Sequence, residues 1–127
     1  MIGGKVVDAS ALAALIGGRL SAVAWFATAE TAGIALYLPT LALAEVRAIR
    51  PDAAEELAEV LGHSMIVLGE LDAANARQVH QLLSNAGVFD AMAGHVVHIA
   101  RQRGWPALSA DPDRLRRLDP AIEIDLL

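Results

Sequence analysis

Apolar residues in this chain fall into two kinds of block. Short runs at Lys5–Val7, Ile34–Leu38, Met65–Leu68, Trp105–Ser109 and Glu123–Leu126 have the length and composition of strands. Longer stretches between them carry helical spacing. An Ala/Leu segment, with Ser10 as its expected N-cap, ends at Gly17 and Gly18, and a second runs from Ser21 to Thr31 and stops at Gly33. Thr40, just after Pro39, is placed to cap a helix that Pro51 halts. Pro51 then starts another that ends at Gly62, with Ala54, Leu57, Ala58 and Leu61 as its apolar face and Glu55, Glu56 and Glu59 in water. Asp72 caps a helix to about Ser84, and Asn85 to Gly87 form a turn. Asp90 opens a helix to Arg103 closed by Gly104, and Pro112–Leu118 makes a short last helix. Strands alternating with helices predict βαβ units: an α/β fold with a five-stranded, mainly parallel sheet flanked by helices, as one domain over residues 1–127.

Composition narrows the chemistry. The absence of Cys excludes disulfides, thiolate-bound zinc and iron–sulfur clusters, and fits a reducing, cytoplasmic setting. The most membrane-like stretch, Leu20 to Leu38, is mostly Ala, Thr and Gly with Glu30 inside it, so it is expected to be a buried helix followed by a strand, with no membrane partner. Lys5, Asp8 and Arg19 interrupt the N-terminal apolar residues, unlike a signal peptide. A net charge of −5 argues against a general nucleic-acid coat, yet leaves room for an enzyme that concentrates carboxylates in one pocket and grips phosphates with a few arginines.

Four acids stand inside or just after apolar runs, where an unpaired carboxylate is costly: Asp8, Glu45, Asp90 and Asp111. Asp8 and Asp111 follow strands, and Glu45 and Asp90 lie near the starts of helices that can begin on the same sheet edge. Ligands of open parallel sheets bind at that edge. Four carboxylates about 6 Å apart repel by about 3 kcal/mol per pair at an effective dielectric near 20. A bound cation or raised pKa values would relieve this, and an oxygen-only set suits Mg²⁺ or Mn²⁺, which can orient a phosphodiester and activate water. Taken singly, Asp90 is an ordinary N-cap, and Asp8 and Asp111 are ordinary turn formers. Glu45 is harder to explain locally, because Leu41, Leu43 and Val46 surround it and no basic residue stands four positions on. Asp113 is expected to be solvated, His95 and His98 to lie on the surface or at an interface, Trp25 and Trp105 to pack, and Ser10 and Ser109 to donate to the acids or cap turns. Arg114, Arg116 and Arg117 are expected on a solvated outer face, with contact to an RNA backbone as the other reading.

Val6-Val-Asp-Ala-Ser-Ala-Leu12, Leu38-Pro-Thr-Leu-Ala-Leu-Ala-Glu-Val46, Phe89-Asp-Ala-Met-Ala-Gly94 and Leu108-Ser-Ala-Asp-Pro-Asp-Arg-Leu115 together resemble the four acidic motifs of PIN-domain ribonucleases, and more narrowly the VapC-type toxins of toxin–antitoxin pairs. The resemblance spans nearly the whole chain. It implies a Mg²⁺- or Mn²⁺-dependent endoribonuclease, homodimeric and blocked by a cognate antitoxin protein, with Asp8, Glu45, Asp90 and Asp111 as metal-binding and catalytic acids. Ser109 stands where that family often has Thr, and Gly94 where it commonly has Ala. A catalytically weak interaction module of the same fold is the alternative. A phospho-receiver domain is disfavoured, because the chain lacks an acid pair near the first strand and a late Lys. An acidic pocket is also a receptor for a partner's Arg or Lys, which would pair with Glu45, Asp8 and Asp90, while the partner covers apolar surface on about Leu12–Phe26 and Leu43–Leu61.

Overall fold

The computed structural model describes residues 3–127. β1 (Gly4–Val7) leads into α1 (Ala9–Ile16) and α2 (Leu20–Ala32), and β2 (Ala35–Pro39) into α3 (Thr40–Ile49). A short 3-10 turn over Pro51–Ala53 then opens α4 (Ala54–Leu61). β3 (Ile66–Gly69) is followed by α5 (Ala73–Ala86) and α6 (Ala91–Arg103), and β4 (Ala107–Ser109) by α7 (Pro112–Arg116) and β5 (Ile124–Leu126).

The five strands form one parallel sheet in the order β3-β2-β1-β4-β5. From the central β1 the chain builds outward through β2 and β3, then crosses to the other side of β1 for β4 and β5. The turns leaving β1 and β4 therefore part, and a crevice opens at the carboxyl ends of these two strands. Val6, Leu36, Leu38, Leu108 and Leu115 contribute to one core with the inner face of α1, α3 and α4. α6 is buried along most of its length, from Met92 to Val97 and at Ile99 and Ala100. Its N-terminus, Asp90, meets the crevice, and Gly104 ends it in the left-handed conformation (φ 66°). At the β3 edge, the missing side chain of Gly69 makes room for the ring of Tyr37, whose hydroxyl lies 3.4 Å from His95 Nε2.

Several local expectations are corrected. Asp8, not Ser10, caps α1, with its carboxylate accepting from the Ala11 amide. Both residues are good caps, and the choice falls to the one standing where β1 ends. Thr40 is the first helical residue of α3 and Pro39 its cap, with no side-chain cap bond. In α4 the inward residues are Leu57, Val60 and, partly, Leu61, behind Ala53; Ala54 and Ala58 are exposed. α2, expected to be buried, hides only Ala22 and Ala29 and leaves Leu20 and Val23 in solvent. His95 is fully buried against Tyr37, and His98 is half-buried with its Nε2 2.8 Å from Asn75 Oδ1. Among the described residues no single helix is long and apolar enough to cross a membrane.

Candidate active site

Asp8 lies at the bottom of the crevice with no exposed surface. Its Oδ1 accepts from Ser10 Oγ at 2.6 Å and from the Ala11 amide at 2.8 Å, and its Oδ2 accepts from Ser109 Oγ at 2.6 Å. Ser109 Oγ in turn accepts from the Asp111 amide, and Ser10 Oγ from the Ala110 amide, so the turns after β1 and β4 are stitched together around one carboxylate. Burial is the largest influence on Asp8 and raises its pKa above the ordinary value. The Ser10 and Ser109 hydroxyls, the Ala11 amide and the charge of Arg114 oppose that rise without cancelling it.

Arg114 holds the rest of the pocket together. Its Nη1 and Nη2 donate to the two oxygens of Glu45, each at 2.7 Å, while Nε and Nη2 donate to Asp90 Oδ2 and Oδ1 at 2.7 and 3.0 Å. The guanidinium thus forks onto two carboxylates at once, the geometry for which Arg is suited. Asp90 also accepts from the Ala93 amide as the cap of α6. Burial alone would raise the Asp90 pKa, but the Arg114 and Ala93 hydrogen bonds and the nearby charges of Arg114 and Arg117 outweigh it and hold the pKa below the usual carboxylate range. The hydrogen bonds to Glu45 and Asp90 raise that of Arg114 in return.

The structure thus brings Glu45 and Asp90 together on one cation and sets Asp8 within reach of its field. Asp111 is linked to Asp8 through Ser109 by its backbone, while its carboxylate is exposed and makes no hydrogen bond or ion pair among the described residues. Asp113 is exposed. One expectation fails here: Arg114 does not lie on the solvated outer face of α7, and it is this residue that pairs with Glu45, 69 positions away in sequence. A half-buried acid without a local partner was the signal that a distant cation would be needed. The position expected for a partner's basic residue is taken by an arginine of the chain itself.

The donor set suits a hard divalent cation, being carboxylate and hydroxyl oxygen with no sulfur or imidazole, and the seated guanidinium marks where two of the acids already share one positive charge. As the side chains stand, no three acids or histidines among the described residues are grouped closely enough to share an ion.

A five-stranded parallel sheet flanked by helices, with acids at the carboxyl edge of its central strands, is the PIN-like α/β fold expected from the four motifs. Among the solved structures similar to this one are two that match over nearly the whole chain. PAE2754 from Pyrobaculum aerophilum matches with a TM-score of 0.66 and 20% identity, over 97% of this chain and 83% of that one. VapBC2 from Rickettsia felis, solved bound to a DNA fragment from its promoter, matches with a TM-score of 0.69 and 13% identity, over 100% of this chain and 99% of that one. No protein-family model and no curated protein matches the sequence.

Proposed function

We propose that the protein is a Mg²⁺- or Mn²⁺-dependent endoribonuclease and the toxin of a type II toxin–antitoxin pair, acting in the cytoplasm. The observation that carries this reading is the pairing of Glu45 and Asp90 on Arg114, with the buried Asp8 in the field of the same guanidinium, at the topological switch point of a PIN-like sheet. Asp8, Glu45, Asp90 and Asp111 would hold the cation. When bound, it supplies activation of water and neutralises charge on a phosphodiester. The chain's own part is positional: Ser10, Ser109 and the Ala11 amide fix both oxygens of Asp8, and the Ala93 amide fixes Asp90 at the end of a buried helix.

A cognate antitoxin as partner is supported by the likeness to VapBC2 and by the apolar surface of α2. Leu20 is 84% exposed, and Phe26 lines a groove with Leu15, Ile16 and Val60 between α1, α2 and α4, edged by Glu56, Glu59 and His63. Such a face suits an amphipathic partner segment. Exposed Ile49 at the end of α3 adds apolar surface for a homodimer contact.

The test is expression alone and with the neighbouring gene product. Growth arrest by the chain alone, relieved by the neighbour and by Asp90→Asn, together with RNA cleavage that EDTA stops and Mn²⁺ restores, is the expected result. A chain that is harmless to cells and cleaves no RNA with either ion would overturn the enzyme reading. It would favour the catalytically weak interaction module, to which the Arg114 ion pairs with Glu45 and Asp90 already lend support.

A further inference from the structure

Arg114 is the one member of the pocket that the proposed reaction leaves without a role. Four of its N–H groups are spent on Glu45 and Asp90, at 2.7 to 3.0 Å. Those same oxygens cannot also hold a divalent cation, because the guanidinium occupies them and repels a second positive charge. Yet the residue is not locked in. Its side chain keeps 23% of its surface in solvent, and its anchorage in α7 comes from the next residue, Leu115, which is fully buried. The side chain can therefore leave the carboxylates by rotating its own torsions while α7 stays seated. On leaving, it carries a fork that fits a phosphate as well as it fits a carboxylate. Arg116, the last residue of the same short helix, and Arg117, which caps it, are exposed and add positive charge at the rim.

We infer that Arg114 is a two-position residue: seated between Glu45 and Asp90 it closes the pocket to divalent cations, and once displaced it binds a phosphate of the RNA chain. The inference rests on the reading of the pocket as an RNA-cleaving site. It explains how a cluster of acids stays stable without an ion, and it makes cation entry and phosphate binding two halves of one exchange. An apparent affinity is weakened by the fraction of molecules in the competent state. If the open position is populated at about 1–10%, as minor states commonly are, removing the guanidinium strengthens cation binding about 10- to 100-fold.

The experiment measures Mn²⁺ binding by calorimetry, and single-stranded RNA binding by fluorescence anisotropy with Ca²⁺ in place of Mn²⁺. Both use the full chain and its Arg114→Gln and Arg114→Lys variants, with circular dichroism to verify folding. Arg114→Gln is expected to bind Mn²⁺ about 10- to 100-fold more tightly and RNA more weakly, whereas a damaged pocket weakens both. Arg114→Lys, which keeps the charge but not the fork, falls between, and it carries the test if the Gln variant does not fold. Equal Mn²⁺ affinity in parent and variant, or unchanged RNA affinity, overturns the inference while leaving the RNA-cleaving reading intact. If neither parent nor variant binds Mn²⁺, both fall.

Discussion

Replacing Ser109 by Ala removes one hydroxyl from the centre of the pocket, and its effect can be worked out from the contacts. Ser109 is fully buried, donates to Asp8 Oδ2 at 2.6 Å and accepts from the Asp111 amide at 3.0 Å. Taking a donor from a buried carboxylate costs about 1.5–3 kcal/mol, and the Asp111 amide, nearer the surface, can turn to water at little further cost. The expected loss at pH 7 is about 2–3 kcal/mol, near 10 °C in Tm for a chain of this size. Its pH dependence follows from Asp8. Burial holds the Asp8 pKa above its unfolded value, and the Ser109 hydroxyl is among the groups that oppose the rise, so the substitution raises it further. A group with a raised folded pKa adds stability at low pH and loses that contribution as pH rises through the folded value. The deficit of Ser109→Ala is therefore largest at neutral pH and shrinks on acidification as Asp8 takes up a proton, since a carboxylic acid needs fewer donors. Urea unfolding of the parent, Ser109→Ala, Ser109→Thr and the Asp8→Asn/Ser109→Ala double variant, in steps from pH 7 to pH 4, measures this. The Thr variant keeps the hydroxyl and most of the stability, and the loss is smaller in the Asn background. A loss at pH 7 below about 0.5 kcal/mol, well under the value set by the hydrogen bond, or one that is constant with pH, would refute the assignment.

Asp8→Asn should melt at or above the parent temperature in EDTA at neutral pH, because it removes a buried charge whose ionisation the fold opposes; a lower Tm would count against that. Asp90→Asn should behave in the opposite way, since a lowered pKa adds stability above the unfolded value that is lost as pH falls through the folded one. It is less stable than the parent at pH 7, with the gap closing toward acid, and a pH-independent gap would contradict this. Millimolar Mn²⁺ should raise the Tm of the parent by several degrees and that of Asp90→Asn by much less, whereas equal shifts would indicate nonspecific ion binding. Gly69→Ala puts a Cβ into the space filled by the Tyr37 hydroxyl and forces a buried ring out of place, for an expected loss of about 3 kcal/mol in urea unfolding. Undiminished stability would mean that Tyr37 has another place to go.

The sheet and the acids were legible because their signals are local. A polar residue ending an apolar run, as at Asp8 and Asp90, is visible within a few positions, and the alternation of strand and helix already implies which edge those ends share. What escaped was non-local or unresolved by period. Arg114 pairs with residues 24 and 69 positions away, and a helix of five residues is too short for its charge pattern to say which side faces inward. α2 misled for a different reason: an Ala-rich stretch does not say how wide its buried face is, and here only a narrow stripe, Ala22, Trp25, Phe26 and Ala29, packs against the core while Leu20 and Val23 stay in solvent.

The stitching of Asp8 to Ser109 also has a consequence for synthesis. The pocket joins groups from the first and last turns of the crevice, 101 positions apart. At about 5–20 residues per second, a ribosome needs on the order of 5–20 s to pass from Asp8 to Arg114. Until late in that interval the nascent chain carries Asp8 with the Ser10 hydroxyl but without that of Ser109, and Glu45 and Asp90 without their arginine. The pocket is thus among the last parts of the fold to be completed, and its acids stay unassembled until Ser109 and Arg114 have emerged and docked.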